Sequence, residues 1–210
     1  MRTSAPVLTL IGSLLLVGCS GLEQGIIRSE MEFAEINKQV SALTIPPLSR
    51  DAQGSNLTAD EVKKVATALP LLAQMRQYRP TDLNIYSLQG KVLRVTGKQE
   101  ESFRAFKDGI ALSLQPRTDE DRRVRADVLG EIGRHHYRPN QLPESIAALE
   151  AAVALDGEAA ELRALLGRSY WYAGDKAKAE QNAVDALSLD SQNTNARTLL
   201  NMVLKGRQSP

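Results

Sequence analysis

The chain has 210 residues, of which 42% are hydrophobic, only 4% aromatic and 24% charged, with a formal net charge of +1. That balance excludes a general electrostatic pull toward nucleic acid, and a single cysteine excludes an internal disulfide or a cysteine-rich metal centre. The low aromatic content suits a core built on Ala and Leu. No period-two alternation is sustained, so the expected class is all-α, one domain of roughly nine helices.

The chain opens on a targeting segment. Arg2 gives a positive n-region, and Val7 to Val17 is an apolar h-region, too short for a membrane span of about 20 residues. It ends in Leu16, Val17, Gly18 and Cys19. This run resembles the bacterial lipobox, in which a small residue precedes a cysteine. The resemblance implies that residues 1–18 are a signal peptide, that the Cys19 thiol is diacylated, and that its new amino group is acylated after cleavage. Residues 19–28 would then be a lipidated tether. Each buried CH₂ contributes about 0.8 kcal/mol, so several chains together hold firmly. Ser20 stands where an Asp typically retains Gram-negative lipoproteins at the inner membrane. The resemblance therefore implies the outer membrane, periplasmic side, or the outer leaflet of the plasma membrane in a Gram-positive cell. An ordinary secretory signal with a chance cysteine is the alternative.

Residues 29–82 read as N-terminal helices and a loop. Ser29 and Glu32 have capping-box spacing, and Phe33, Ile36, Val40 and Leu43 recur at helical intervals. Pro46 and Pro47 are expected to stop this helix. Thr58 and Glu61 form a second capping box ahead of the stripe Val62, Val65, Leu69, Leu72 and Met75. Pro70 interrupts that stripe, which predicts a kink or two short helices. Asp82 caps the next helix. The region is either a cap on the downstream repeats, a spacer helix that meets a partner near the membrane, or a decayed repeat lacking the Gly and Ala landmarks.

From Leu83 onward the chain repeats. Residues 160–193 carry Leu166, Gly167, Tyr170, Gly174, Asp175, Ala179, Ala183, Ala186 and Leu189. Residues 126–159 carry Ile132, Gly133, His136, Asn140, Gln141, Ser145, Leu149, Ala152 and Leu155 on the same slots, 34 residues earlier. Residues 83–116 match less fully through Tyr86, Gly90, Leu93, Gly97, Lys98, Ser102 and Phe106. The charged run Arg117 to Arg123 breaks the spacing once, as a long second helix or a loop. The period and the small residues at helix crossings resemble the tetratricopeptide repeat. The resemblance implies an all-α helix–turn–helix solenoid of about three repeats plus capping helices, a binding scaffold without chemistry of its own. Units of this kind must stack to bury their apolar faces. Residues 194–210 supply a C-terminal capping helix from Thr194 to Lys205, ended by Gly206, with Asn195, Arg197, Asn201 and Lys205 as its polar outer face.

Catalytic signals are sparse. His135 and His136 point about 100° apart on a helix, so they do not readily share a metal, and His136 falls on the slot of Tyr170. No nucleophile motif or phosphate loop is present. The expectation is no enzyme, no cofactor and no metal. The resemblance instead directs attention to the concave face, lined by the first helix of each unit. Lys91, Arg134 and Arg168 fall on equivalent slots, with Arg94 and Arg138 beside them and Tyr137, Trp171 and Tyr172 as aromatic neighbours. Arg, Trp and Tyr are the types enriched at binding hot spots. The pattern is either a basic groove for a peptide or protein segment, possibly acidic, or a solvated face offset by Asp127 and Glu161. A lipid-anchored scaffold in envelope assembly, a dedicated pilus or secretion factor resembling pilotins, and an adaptor of cell-wall hydrolases all fit.

Overall fold

The computed structural model describes residues 8–52, 56–135 and 141–208, and their regular structure is helical throughout. Among these residues ten helices run in order: α1 Leu8–Ala52, α2 Ala59–Ala66, α3 Ala68–Tyr78, α4 Leu83–Val95, α5 Gln99–Leu112, α6 Asp119–His135, α7 Leu142–Leu155, α8 Ala160–Tyr172, α9 Lys176–Leu189 and α10 Thr194–Gln208. The chain divides between Arg79 and Pro80 into two compact units.

In the first unit α2 and α3 pack on α1. The expected helix start at Ser29 is not used, because α1 is already helical there. The Ser29 hydroxyl donates back to the Ile26 carbonyl at 2.8 Å. Glu32 instead accepts from Arg28 at 3.1 Å and from the Tyr78 hydroxyl at 2.8 Å. Nor do Pro46 and Pro47 stop the helix, although each removes a ladder donor. Val40, Thr44 and Pro47 are buried on one side, and the Thr44 hydroxyl bonds the Val40 carbonyl at 2.8 Å. Burial of that face offsets the lost bonds. The capping box at Thr58 and Glu61 forms as expected. The chain breaks at Thr67, which places Pro70 in the first turn of α3, where no backbone donor is required. The end of α3 is fastened to α1: Tyr78 meets Phe33 edge to face at 6.4 Å, and the Arg79 guanidinium lies 3.9 Å from the Phe33 ring centre and 2.6 Å from Glu30.

The second unit pairs α4 with α5, α6 with α7 and α8 with α9, and α10 closes on α8 and α9. Small residues permit each crossing. A Cβ on Gly90 would lie 2.3 Å from the Phe106 ring, one on Gly133 2.6 Å from Leu149, and one on Gly167 2.6 Å from Leu199. The Ser102 and Ser145 hydroxyls donate to the Gly90 and Gly133 carbonyls at 2.8 and 2.9 Å. Ala179 stands on that slot in the third pair. Gly97 and Gly174 turn from first to second helix with φ of 81° and 86°, a left-handed conformation that favours glycine. One core cluster joins Leu149, Leu165, Leu166, Tyr170, Leu199 and Val203 over Ala179 and Ala183.

The break in the period is resolved as neither a long second helix nor a simple loop. α5 ends at Leu112, and the charged run enters α6. Of the nine extra residues, seven extend α6 at its N-terminus and two lengthen the preceding loop. α6 has 17 residues against 13 in α4 and α8. Thr118 starts it: its hydroxyl accepts from the Asp121 N–H at 3.1 Å, while the Asp121 carboxylate accepts from the Thr118 and Arg117 N–H groups at 3.0 and 3.1 Å. This is a capping box with Asp in the acidic position. Those bonds hold the Asp121 carboxyl below its ordinary value. Gly206 does not end α10. The helix continues to Gln208, and Gly206 leaves room for Trp171, whose ring edge would be 2.6 Å from a Cβ there.

Candidate functional site

The first helices α4, α6 and α8 carry the residues singled out by the repeat, and they come together as an alternating row of charges. The Lys91 ammonium lies 2.6 Å from Asp127 on the next first helix. Arg134 repeats the arrangement one unit on, 3.9 Å from Glu161. Glu161 also accepts from the Asn195 amide of α10 at 2.9 Å. Each cation therefore bridges to an acid two turns earlier on the following first helix. Between them sits Glu131, only 9% exposed, 3.7 Å from Arg94 and 3.9 Å from Arg134.

The acids expected as offsets, Asp127 and Glu161, thus stand beside the cations. Lys91, Arg94 and Arg134 share one face, and Asp127, Glu131 and Glu161 interleave with them. Arg168 occupies the same slot on α8 and is half-buried. Asp127 and Glu161 were legible as offsets, whereas Glu131 was missed. Its signal is an acid on the slot that Leu165 fills one repeat later. Ser87, Gly130 and Ala164 on the same helices are buried, and a Cβ on Gly130 would be 2.5 Å from Leu162.

The aromatic residues divide. Trp171 packs on the core cluster under α10, with the Lys176 ammonium 5.8 Å from its ring and 3.3 Å from the Gly206 carbonyl. It is a packing residue, not an open anchor. Tyr172 is 51% exposed. Tyr137 and Arg138 lie outside the described residues, as does His136. His135 stacks on Phe103 at 4.1 Å, nearly parallel. Among the described residues no cluster of His, Cys, Asp and Glu could hold a metal. Cys19 lies within α1, and its side chain is outside the described ones. Among the described residues no helix is long and apolar enough to cross a membrane.

No family model matches the chain, and no curated protein matches it. Solved structures do. A MamA fragment from Desulfovibrio magneticus superposes over 81% of this chain and 86% of its own at a TM-score of 0.54 and 18% identity. YrrB, described as a tetratricopeptide protein with an unusual peptide-binding site, superposes over 71% and 72% at 0.56 and 15%. The first tetratricopeptide domain of RPAP3, solved with the HSP90 peptide SRMEEVD, superposes over 60% and 96% at 0.52 and 14%. The fold is a tetratricopeptide-type solenoid. In that frame α4, α6 and α8 are the first helices of three repeats, and α10 stands where the first helix of a fourth would.

Proposed function

We propose that this chain is a lipid-anchored scaffold of the cell envelope that holds a partner protein on the face formed by α4, α6 and α8. The supporting observation is the charged row itself. A face needed only for solubility has no reason to place the same cation–acid pair on successive first helices, and a partner segment meets that row along its whole length. Arg134 is the proposed centre. It is 44% exposed, its charge is shared between Glu131 and Glu161 at 3.9 Å each, and Tyr172 supplies an exposed aromatic surface on the next repeat. Contacts this loose are exchanged readily for direct, charge-assisted bonds to a ligand carboxylate. The lipobox-like run ending at Cys19 supports anchoring at the outer membrane, periplasmic side. Repeat solenoids serve many partners, so the fold alone favours neither a pilus or secretion factor nor a hydrolase adaptor.

The test is crosslinked capture from membranes of the native host, comparing the wild type with Cys19→Ala and with Arg134→Glu/Arg168→Glu. The expected result is one or more envelope proteins captured by the wild type and lost with the double variant, whose far-UV dichroism is unchanged. A single stoichiometric partner identifies an assembly factor, and several cell-wall enzymes identify an adaptor. Capture that survives the double variant removes the concave face from the mechanism. Absence of mass-shifting acyl groups on Cys19 removes the anchor.

A further inference from the structure

At the junction of the first two repeats, beside the extra residues, lies a cleft of about 210 Å³ lined by none of the residues of the charged row. Its walls are the start of α4, the extended loop between α5 and α6, and the added turns of α6. Leu83, Leu114, Pro116 and Val124 form an apolar side, and Arg117 and Arg125 stand on the polar side. Leu114 is 66% exposed.

We propose that this cleft binds an extended peptide segment of a partner protein that presents a carboxylate next to an aliphatic side chain. The charge arrangement carries the carboxylate. Arg125 is half-buried, yet its partners are neutral: the Ser113 hydroxyl at 3.1 Å and the Leu114 carbonyl at 3.5 Å. Among the described residues no carboxylate pairs with it. A partly desolvated cation held by neutral dipoles favours an incoming anion. Asp82 and Asp121 also line the cleft and oppose an anion. Both are engaged as N-terminal caps, Asp82 by the Asn84 N–H at 3.0 Å and Asp121 by Arg117 and Thr118. The lining thus sets two guanidiniums against two carboxylates that are already held by backbone N–H groups, which leaves the half-buried Arg125 guanidinium as the group for a further anion. The size carries the rest. Small-molecule sites usually span about 300–1,000 Å³, so this cleft suits two or three side chains rather than a cofactor. The backbone at Ser113 is extended and residues 114–117 lie outside helical structure, a segment beside which a strand-like ligand can lie. The proposal is independent of the concave face.

The test is fluorescence anisotropy with the full chain in detergent. The probes are fluorescein-labelled hexapeptides alternating leucine with aspartate, against the same peptides with lysine or with serine in place of aspartate. The aspartate peptide is expected to bind about tenfold more tightly than either control, the scale of one charge-assisted bond. Arg117→Ala, an exposed position, and Val124→Trp, which fills the cleft, are each expected to weaken it about tenfold, with helicity unchanged by dichroism. Arg134→Glu/Arg168→Glu is expected to leave it unchanged. Equal affinity for all three peptides, or no response to both cleft variants, overturns the proposal. So does loss with the Arg134→Glu/Arg168→Glu variant, which returns the ligand to the concave face. A concentration-dependent dimer abolished by Val124→Trp also overturns it, because a second copy then occupies the cleft.

Discussion

The junction between the first and second repeats and that between the second and third solve one problem with different chain lengths. At the later junction α7 passes to α8 through four residues, Asp156 to Ala159, and Arg163 reaches back to the Gly157 carbonyl at 2.9 Å. At the earlier junction the chain spends nine more residues, mostly on extra turns of α6, and Arg125 reaches back to the Leu114 carbonyl. Yet Lys91–Asp127 and Arg134–Glu161 occupy corresponding slots. The insertion is absorbed at the edge, while the register of the first helices stays fixed by packing. A repeat array can thus vary one edge without disturbing the face that runs along it.

Substitutions at the helix crossings test the shared register most directly. Gly90→Ala and Gly133→Ala each force a methyl into a neighbouring side chain and are expected to cost about 2 kcal/mol by overpacking, read from urea melts. Equal costs support a common register, and a much smaller cost at Gly90 shows that the irregular junction loosens its repeat. At the later junction the Tyr170 hydroxyl donates to Glu150. Burial, then that bond and the Glu150 charge, push the phenol up from 10.0 to about 12. The neutral phenol is favoured in the folded state, so its stabilisation is complete below pH 10 and is lost as pH rises toward 12. Tyr170→Phe should remove that part of the alkaline decline in melting temperature, and an unchanged decline rejects the assignment. At the earlier junction, Thr118→Ala should cost about 1 kcal/mol through loss of the α6 cap, measured in the same melts. The smallest effect is expected from double-mutant cycles on the two ion pairs. Each should couple by less than about 1 kcal/mol and weaken with salt, with Lys91–Asp127 the stronger because its atoms are 2.6 Å apart rather than 3.9 Å.

Much of this architecture was legible because close helix crossings leave a mark in residue size. Gly90, Gly133, Gly167, Ala179 and Ala186 announced the repeat, and Gly97 and Gly174 announced its turns. Helix ends were less legible. Ser29, Pro46, Pro47 and Gly206 all look like boundaries locally, and in each case the helix runs through them. Local rules set the cost of continuing, but burial along α1 and the Trp171 ring against α10 decide the outcome. The opposite miss occurred at Arg117 to Arg123, where a charged run hid the Thr118–Asp121 box that starts α6. In the candidate site, Lys91, Arg134 and Arg168 were readable from their equivalent slots in the repeat. The acid shared by Arg94 and Arg134, Glu131, was not, because its role depends on two arginines meeting across different helices.

Trp171 is the only tryptophan of the chain, and the helix above it ends the described structure. Its indole is therefore a built-in optical gauge of one docking event. When α10 lifts, the ring that rests against Gly206 meets water and its emission moves to the red, while the backbone dichroism of the remaining helices is largely retained. Fraying from the C-terminal end and collapse of the whole array can then be followed at two wavelengths in one unmodified sample.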